Sequence, residues 1–386
     1  MEAVMVRMLK VRVRALFVLS ALCLFLFSCG HLSQTPQAES ASRLKIAYYA
    51  GAGSQGAGVV LLARLLAYSP QVDFTVIDGG DIRDGVLDGK DLLVVPGGDS
   101  GMQYRYVKEE GAEKIRKFVE CGGSYFGVCA GFHCALNRNE RFRLLPYNWY
   151  FGGAGMKANL AVELSDKAAE RLQVPKGRYV VRYSRGPVSR RCEQPGEGWA
   201  EELAVFKNDM KWPKITFEGA PAMLYGEYGK GKVIATSFHP EYLVSTNPIA
   251  LGCVYAVSGV KLTPVFPPKS KNVIRLAYMV NGLVGKYWLK QCLALDRQED
   301  IDFSPISTFE EGILEHIDVL VCPNINEKGY EKTLAGPAQE QMRKFVERGG
   351  KILVSTQGLP YVPKHRNVVE LKKGECPVVS VRRIAK

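Results

Sequence analysis

Residues 43–128 alternate short apolar runs with longer amphipathic ones, and this alternation is the feature that most constrains the fold. The runs RLKIAYYA, VDFTVID, DLLVVPGG and SYFGV are rich in β-branched and aromatic residues and predict buried strands. Between them, GVVLLARLLAY and GAEKIRKFVECGG have helical spacing, and the second ends at a glycine pair. This order of elements predicts an α/β fold with a doubly wound, mostly parallel sheet.

Further along, residues 221–242 (PAMLYGEYGKGKVIATSFHPEY) predict two more strands, joined by a glycine-rich turn from Tyr228 to Gly231. The proline-rich stretch LTPVFPPKSKN follows and indicates a domain boundary. We therefore expect one domain over residues 44–262 and a linker over residues 263–272.

After the linker the chain repeats its first part in shortened form. DVLVCPNI echoes DLLVVPGG, and Ile115–Gly123 shares seven of nine residues with Met342–Gly350, both at an offset of 227 residues. At that offset Thr356 stands where the first unit has Cys129. We expect residues 273–386 to form a degenerate α/β repeat without the cysteine. The sequence leaves open whether the two units share one continuous sheet.

The N-terminus has the layout of an export signal. Basic residues up to Arg14 precede the apolar run ALFVLSALCLFLF, which is too short to span a bilayer comfortably. The next residues, LFSCG, resemble a bacterial lipoprotein processing site, which implies removal of residues 1–28 and lipid attachment at Cys29. Residues 29–43 would then be a flexible tether at the cell envelope, outside the cytoplasm. A plain N-terminal membrane anchor is the alternative.

Composition narrows the class of protein and its partners. The 386 residues are 47% hydrophobic, which is typical of a packed globular chain. Of the formal charge of +12, residues 1–28 contribute three units, and the rest is spread thinly without a nucleic-acid motif. We expect no nucleic-acid partner. Eight cysteines follow Cys29 without a CxxC motif, so no disulfide pairing can be assigned.

SYFGVCAGFHCAL, residues 124–136, contains the main candidate for chemistry. A strand, then small residues on both sides of Cys129, then a helix is the arrangement of a nucleophile elbow. The N-terminus of the helix favours a thiolate, which is the form that attacks. The alternative is a buried structural cysteine, because free cysteine often behaves as a small apolar side chain.

A cysteine nucleophile needs a base and a group that orients the base. Among the five histidines, His239 follows the strand KVIATSF and precedes Glu241 by two residues. This spacing is suggestive, because a Glu two residues after a strand-end His can hold one ring nitrogen while the other faces a thiol. The histidines and cysteines lack metal-ligand spacing, and GAGSQGAG fits a dinucleotide motif poorly, so we expect no metal and no cofactor.

These motifs occur in the order and spacing of class I glutamine amidotransferase-like domains. The resemblance is closer to the amidotransferase-like N-terminal domain of biotin–protein ligases and covers residues 44–262. It rests on four segments: Pro96–Gly98 (PGG), Cys129–Gly131 (CAG), Tyr183–Pro187 (Y-x-x-G-P) and His239–Glu241 (HPE). It implies a flavodoxin-like sheet and a catalytic triad of Cys129, His239 and Glu241.

The resemblance further implies an oxyanion hole formed by the backbone N–H groups of Gly98 and Ala130. His133 stands four residues after Cys129, where many glutamine-using members have a pocket Gln. We therefore expect His133 in the substrate pocket. Four polar residues are further candidates for the pocket lining: Tyr104, Arg105, Tyr183 and Arg185.

Three classes of function stay open. The first is a hydrolase or acyl transferase that acts on a small-molecule or peptide amide or ester through a thioester at Cys129. The second is a binding module that keeps the cleft without turnover, and the third is a structural envelope lipoprotein. The complete set of Cys129, His239 and Glu241 favours the first class.

Overall fold

The computed structural model describes residues 42–152, 157–192, 198–207, 211–212, 215–280, 285–309, 312–323, 334–371 and 377–385. Residues 43–386 form one compact unit. The predicted signal peptide, Cys29 and most of the predicted tether lie outside the described residues. Over the described ranges, no helix has the length and apolar character that a membrane crossing requires.

The first part of the chain builds a nine-stranded sheet in the order β2-β1-β3-β4-β13-β12-β9-β6-β7. Its strands are β1 (Leu44–Tyr49), β2 (Val72–Ile77), β3 (Leu92–Val95), β4 (Ser124–Val128), β6 (Lys157–Leu164), β7 (Gly177–Ser184), β9 (Trp199–Phe206), β12 (Pro221–Tyr228) and β13 (Gly231–Thr236). Two small pairs lie beside it: β5 (Tyr147–Gly152) with β8 (Pro187–Arg191), and β10 (Lys211–Trp212) with β11 (Ile215–Thr216).

The large sheet is parallel in one half only. The strands from β2 to β13 pair in parallel, as the sequence predicts, whereas those from β13 to β7 pair antiparallel. The change occurs at the predicted hairpin of β12 and β13, whose short turn allows only antiparallel pairing. The two strands and their turn at Tyr228–Gly231 are thus confirmed.

Helices cover both faces of this sheet, so the sheet is doubly wound. They are α1 (Ala57–Ala67), α2 (Gly79–Arg83), α3 (Ser100–Glu120), α4 (Ala130–Ala135), α5 (Asp166–Leu172) and α6 (Asn247–Ser258). Helices α1, α5 and α6 pack in one core, and α2, α3 and α4 pack in the other. In β1, Ile46 and Tyr48 point to the first core while Ala47 and Tyr49 point to the second, which explains the unbroken apolar run.

Residues 274–371 form a separate, all-parallel sheet in the order β15-β14-β16-β17-β18. Its elements are β14 (Ile274–Met279), α7 (Lys286–Asp296), β15 (Ile301–Ile306), β16 (Val319–Cys322), α8 (Pro337–Glu347), β17 (Lys351–Ser355) and β18 (Val368–Leu371), followed by α9 (Pro377–Ala385). The order β15-β14-β16-β17 matches β2-β1-β3-β4. A short 3-10 helix, Thr356–Tyr361, follows β17 where α4 follows β4.

The two sheets share one core through the helices between them. Helix α1 of the first sheet packs against α7 of the second, and Leu62 and Leu293 belong to the same buried cluster. At the carboxyl edge of the first sheet, Lys286 lies 2.9 Å from Asp78 and 2.8 Å from Asp81. The second sheet therefore packs beside the edge that carries the candidate site.

Candidate active site

Cys129 occupies a strained turn between β4 and α4. Its φ of 52° and ψ of −99° lie in a region that side chains other than glycine rarely adopt. Both neighbouring glycines are needed for space, because a Cβ on Gly131 would lie 2.0 Å from the Val95 carbonyl oxygen. A Cβ on Gly127 would lie 2.6 Å from the Gly131 backbone. The predicted elbow geometry is present.

The thiol of Cys129 is nearly buried, with 6% of the residue exposed. Its Sγ lies 3.5 Å from the carbonyl oxygen of Ser184 at the end of β7 and also contacts the His239 side chain. A thiol with one backbone acceptor and one imidazole beside it can pass its proton to the imidazole.

His239 and Glu241 form a buried pair behind the sulfur. His239 Nδ1 and Glu241 Oε1 are 2.8 Å apart, and the Glu241 side chain is fully buried. The backbone of His239 is fixed as well, because its N–H donates to the Arg182 carbonyl over 2.8 Å. Since Nδ1 is bound to Glu241, the other ring nitrogen is the one available to the sulfur.

The electrostatics of this pair favour a protonated imidazole. Burial alone would lower the pKa of His239, but the Glu241 carboxylate and the Cys129 sulfur outweigh it and hold this pKa well above its ordinary value. His239 therefore keeps a proton that it accepts. An imidazolium beside a sulfur is the charge arrangement that stabilises a thiolate.

Two further glycines make room for the His239 and Glu241 side chains. A Cβ on Gly97 would lie 2.6 Å from His239 Cε1, and a Cβ on Gly58 would lie 2.3 Å from Glu241 Oε1. Gly58 belongs to the glycine-rich stretch after β1, and Gly97 belongs to the PGG loop after β3. Both stretches therefore allow the backbone to lie close to the His239 imidazole and the Glu241 carboxylate.

The two backbone groups predicted for an oxyanion hole lie at the turns beside Cys129. Ala130 is the first residue of α4, so its N–H has no partner within the helix. Gly98 pairs with Ser54 in an isolated bridge whose hydrogen bonds come from the Gln55 and Asp99 N–H groups. The Gly98 N–H takes no part in that bridge, and its φ of 147° suits glycine.

His133 lies one helical turn beyond Cys129 and is held by its neighbours. Its Nδ1 is 2.8 Å from Ser100 Oγ, and its ring stacks on Trp149 with 5.6 Å between ring centroids. Burial, together with the charges of Arg141 and Arg138, lowers the pKa of His133 to about 3. His133 is thus a neutral imidazole, which suits hydrogen bonding rather than proton uptake near neutral pH.

The other predicted pocket residues take different places. Tyr183 is fully buried, donates to the Gly186 carbonyl over 2.6 Å and packs edge-on against Phe206 and Phe217, so it belongs to the core instead of lining an open pocket. Tyr104 donates to Glu109 on α3.

Arg105 and Arg185 are exposed. Arg185, with a φ of 58°, follows the Ser184 carbonyl that contacts the sulfur, so it lies at the rim of the site.

Two contacts at the site do not follow from the sequence motifs. The Ser184 carbonyl faces the sulfur, and the ring of Tyr242 lies edge-on to His239 with 5.3 Å between centroids. Tyr242 directly follows Glu241, so its adjacency in sequence is the one clue to it. Across the described part of the chain, no cluster of three His, Cys, Asp or Glu side chains is gathered for a metal ion.

Comparisons with known proteins point to one family for part of this region. Residues 82–143, which include Cys129, match the family model described as the N-terminal part of biotin-protein ligase. The biotin–protein ligase of Schizosaccharomyces pombe is 28% identical over 175 residues, which are 41% of this chain and 26% of the yeast protein. The chain thus spans about a quarter of the length of that curated relative. In this region it is similar to the N-terminal part of biotin–protein ligases.

Solved structures give looser likenesses. PurLQS from Thermotoga maritima is 15% identical with a TM-score of 0.41, covering 55% of this chain and 96% of that one. A cytoplasmic protein from Salmonella typhimurium is 12% identical with a TM-score of 0.40, covering 56% of this chain and 99% of that one. Both likenesses have TM-scores below 0.5.

Replacing Glu241 with Gln should lower the pKa of His239. The substitution keeps the shape of the side chain but removes the charge that opposes burial, which is worth about 1–3 pKa units at this separation. The pKa can be followed by NMR from the imidazole Cε1–Hε1 signals, since the chain has five histidines. Glu227→Gln, an exposed charge loss on β12, is the matched control and should leave the His239 signal unchanged. Equal titration in both variants would contradict this account.

Proposed function

We propose that the chain is a hydrolase or acyl transferase that acts on an amide or ester through a thioester at Cys129. The observation that carries the proposal is the contact of a strained, nearly buried Cys129 with His239, whose other nitrogen is 2.8 Å from Glu241. A nucleophile, a base and an orienting carboxylate are the parts that acyl transfer needs. The similarity to the N-terminal part of biotin–protein ligases supports a hydrolase-like or binding role for this region.

In the first half of the proposed reaction, His239 takes the proton of the Cys129 thiol. The sulfur attacks the carbonyl carbon of the substrate, and the C=O electron pair moves onto oxygen to give a tetrahedral oxyanion. When that oxyanion collapses, the bond from carbon to the leaving nitrogen or oxygen breaks, and His239 returns its proton to the leaving atom. A Cys129 thioester remains.

In the second half, water or another acceptor attacks the thioester carbon while His239 takes its proton. The carbon–sulfur bond breaks, the acyl group leaves as an acid or a new amide or ester, and His239 returns the proton to the sulfur. Throughout both halves, Glu241 holds the imidazole in place through its hydrogen bond with His239 Nδ1. The N–H groups of Gly98 and Ala130 would stabilise the oxyanion in both halves.

The reactivity of Cys129 tests this proposal directly. His239→Gln keeps a hydrogen-bond donor for Glu241 but removes the base, so alkylation of Cys129 by iodoacetamide at pH 6–7 should slow about tenfold or more. Peptide mass spectrometry measures the rate at Cys129 and, in the same sample, at the exposed Cys121. Cys121 should react equally in both proteins, as should both thiols in a His365→Gln control.

If Cys129 reacts at the same rate with and without His239, the thiol is not activated. The non-catalytic binding module, which keeps the cleft without turnover, would then be the better account. The similarity to biotin–protein ligases would stand in either case, because it concerns sequence and not reactivity.

We further propose that residues 273–386 are a degenerate copy of the first unit that keeps its framework and lacks its nucleophile. The matching order of strands and helices supports this proposal, as does Thr356 directly after β17. Thr356 Oγ1 donates to Glu370 over 2.5 Å, and so it is engaged in a structural contact.

We also propose that the protein is anchored at the cell envelope by a lipid on Cys29. The support is the sequence alone: a basic segment, an apolar run, then LFSCG and a polar stretch. In a bacterial host, Cys29→Ala should leave an unprocessed or mislocalised precursor, measured by the mass of the N-terminal peptide and by membrane fractionation. Cys23→Ala, inside the apolar run, is the control and should be processed normally. Normal processing and membrane release of Cys29→Ala would exclude lipidation.

A further inference from the structure

An open groove of about 470 Å³ lies between the loop that follows α2 and the last turns of α3, and we call it the lysine groove. Its volume suits a small molecule. Gly123, in its lining, directly precedes β4, whereas Cys129 directly follows β4, so the groove lies at the opposite edge of the sheet from the candidate active site. The lining consists of Ile82, Gly85, Leu87, Asp88, Gly89, Lys90, Lys114, Lys117, Phe118, Cys121 and Gly123.

The three lysines of the lysine groove have no carboxylate beside them. Lys114 Nζ donates to the Arg83 carbonyl, and Lys90 Nζ donates to Thr75 Oγ1 over 2.8 Å, so neutral oxygens hold both. Among the described residues, no carboxylate oxygen lies within 4.0 Å of the ammonium groups of Lys90, Lys114 or Lys117. Ammonium groups gathered in one groove repel each other, and an anion bound among them would relieve that repulsion.

The second unit shows that the shared framework does not need these lysines. At the offset of 227 residues, Ile317 stands where the first unit has Lys90, and Gln341 stands where it has Lys114. Gln341 donates to a backbone carbonyl over 3.0 Å, so a neutral side chain makes the bond at this position. The counterpart of Lys117 is also a lysine, but it lies 3.6 Å from a glutamate. The second unit thus has one paired lysine where the first has three lysines without a carboxylate partner.

The same comparison reveals an aromatic surface that is open in the lysine groove. Phe118 is partly exposed, whereas its counterpart Phe345 is fully buried. Arg348 stands where the first unit has Cys121, and its guanidinium lies over the Phe345 ring, 5.4 Å from the centroid. The smaller Cys121 carries no such group, so Phe118 offers apolar surface beside the three ammonium groups.

The charge and the ring together decide which ligand fits. Asp88 is the one acidic residue in the lining, so the three lysines leave two positive charges to be balanced. A phosphate monoester carries about −1.5 to −2 charge near pH 7, whereas a carboxylate carries a single charge, and lysine binds phosphate as a point charge. The Phe118 ring favours an organic group on the phosphate, since aromatic contact with that group adds to the attraction of the charges.

We propose that the lysine groove binds a phosphate monoester, with the phosphate among Lys90, Lys114 and Lys117 and the organic group on Phe118. Binding is noncovalent and takes place away from Cys129. This inference goes beyond the proposed function and does not rest on it.

The alkylation of Cys121 reports whether the groove is occupied, because Cys121 is exposed and belongs to the lining. The probe is phenyl phosphate, added at constant ionic strength, and the reagent is uncharged iodoacetamide. Peptide mass spectrometry measures the alkylation rate at Cys121 at each concentration of the probe. Bound phenyl phosphate should slow this rate about threefold or more, since it blocks access to the thiol.

Replacing Lys90, Lys114 and Lys117 with Gln should raise the half-protecting concentration of phenyl phosphate about tenfold, because three attractions to the phosphate are lost. Each variant is compared with its own rate without the probe, since lysines beside a thiol also change its reactivity. Lys114→Gln alone installs the residue that the second unit has at this position and should raise the half-protecting concentration about twofold.

The control replaces Lys261, Lys271 and Lys364 with Gln, three exposed lysines outside the lysine groove. It should raise the half-protecting concentration less than about twofold, because charges far from the groove are screened by salt. Thermal unfolding confirms that each variant is folded, and the single Lys114→Gln variant carries the test if the triple variant is not.

Four results would overturn the proposal. The first is no protection of Cys121 by phenyl phosphate, and the second is an equal change in the two triple variants. The third is equal protection by inorganic phosphate, which would make the groove a site for the free ion. The fourth is equal protection by phenylacetate, which would show that a single negative charge is enough.

Discussion

The parallel pairing of β4 with β13 fixes the geometry on which the whole site depends. In this register Val128 lies opposite Thr236, and the Cys129 N–H donates to the Thr236 carbonyl over 2.8 Å. Cys129 is thus the first residue past β4 and His239 the third past β13, at the same carboxyl edge. Because Phe126 and Ile234 are buried in one core, and their sequence neighbours in the other, a one-residue slip would place side chains in the wrong core.

The packed framework sustains two features that cost free energy at this edge. A side chain in the conformation of Cys129 costs of order 1–3 kcal/mol, and a buried ionisable pair such as His239 and Glu241 is costly unless its groups are hydrogen-bonded. Tight glycine contacts prevent the turn from relaxing, since Gly131 lies against the Val95 carbonyl. The shared core with the second sheet supports α1, which carries Gly58 against Glu241.

Sequence periodicity and glycine positions predicted the α/β alternation, the hairpin and the elbow at Cys129, because Cys129 lies between small residues and directly follows the buried strand β4. His239 and Glu241 lie three and five residues past β13, so the strand pattern brought them only to the same edge of the sheet. The antiparallel half of the sheet was missed, since apolar runs do not reveal the direction of pairing. Tyr183 was expected in a pocket, but β7 alternates and Tyr183 takes an inward position.

The central claim is that Cys129 forms a covalent acyl intermediate with help from His239. The most direct measurement mixes the protein with p-nitrophenyl acetate at pH 7, follows p-nitrophenolate release and maps the acetyl group by mass spectrometry. The account predicts a burst of one equivalent and an acetyl group on the peptide that contains Cys129, both lost in Cys129→Ser. Absence of a burst, with acetylation instead at the exposed Cys121, would contradict it.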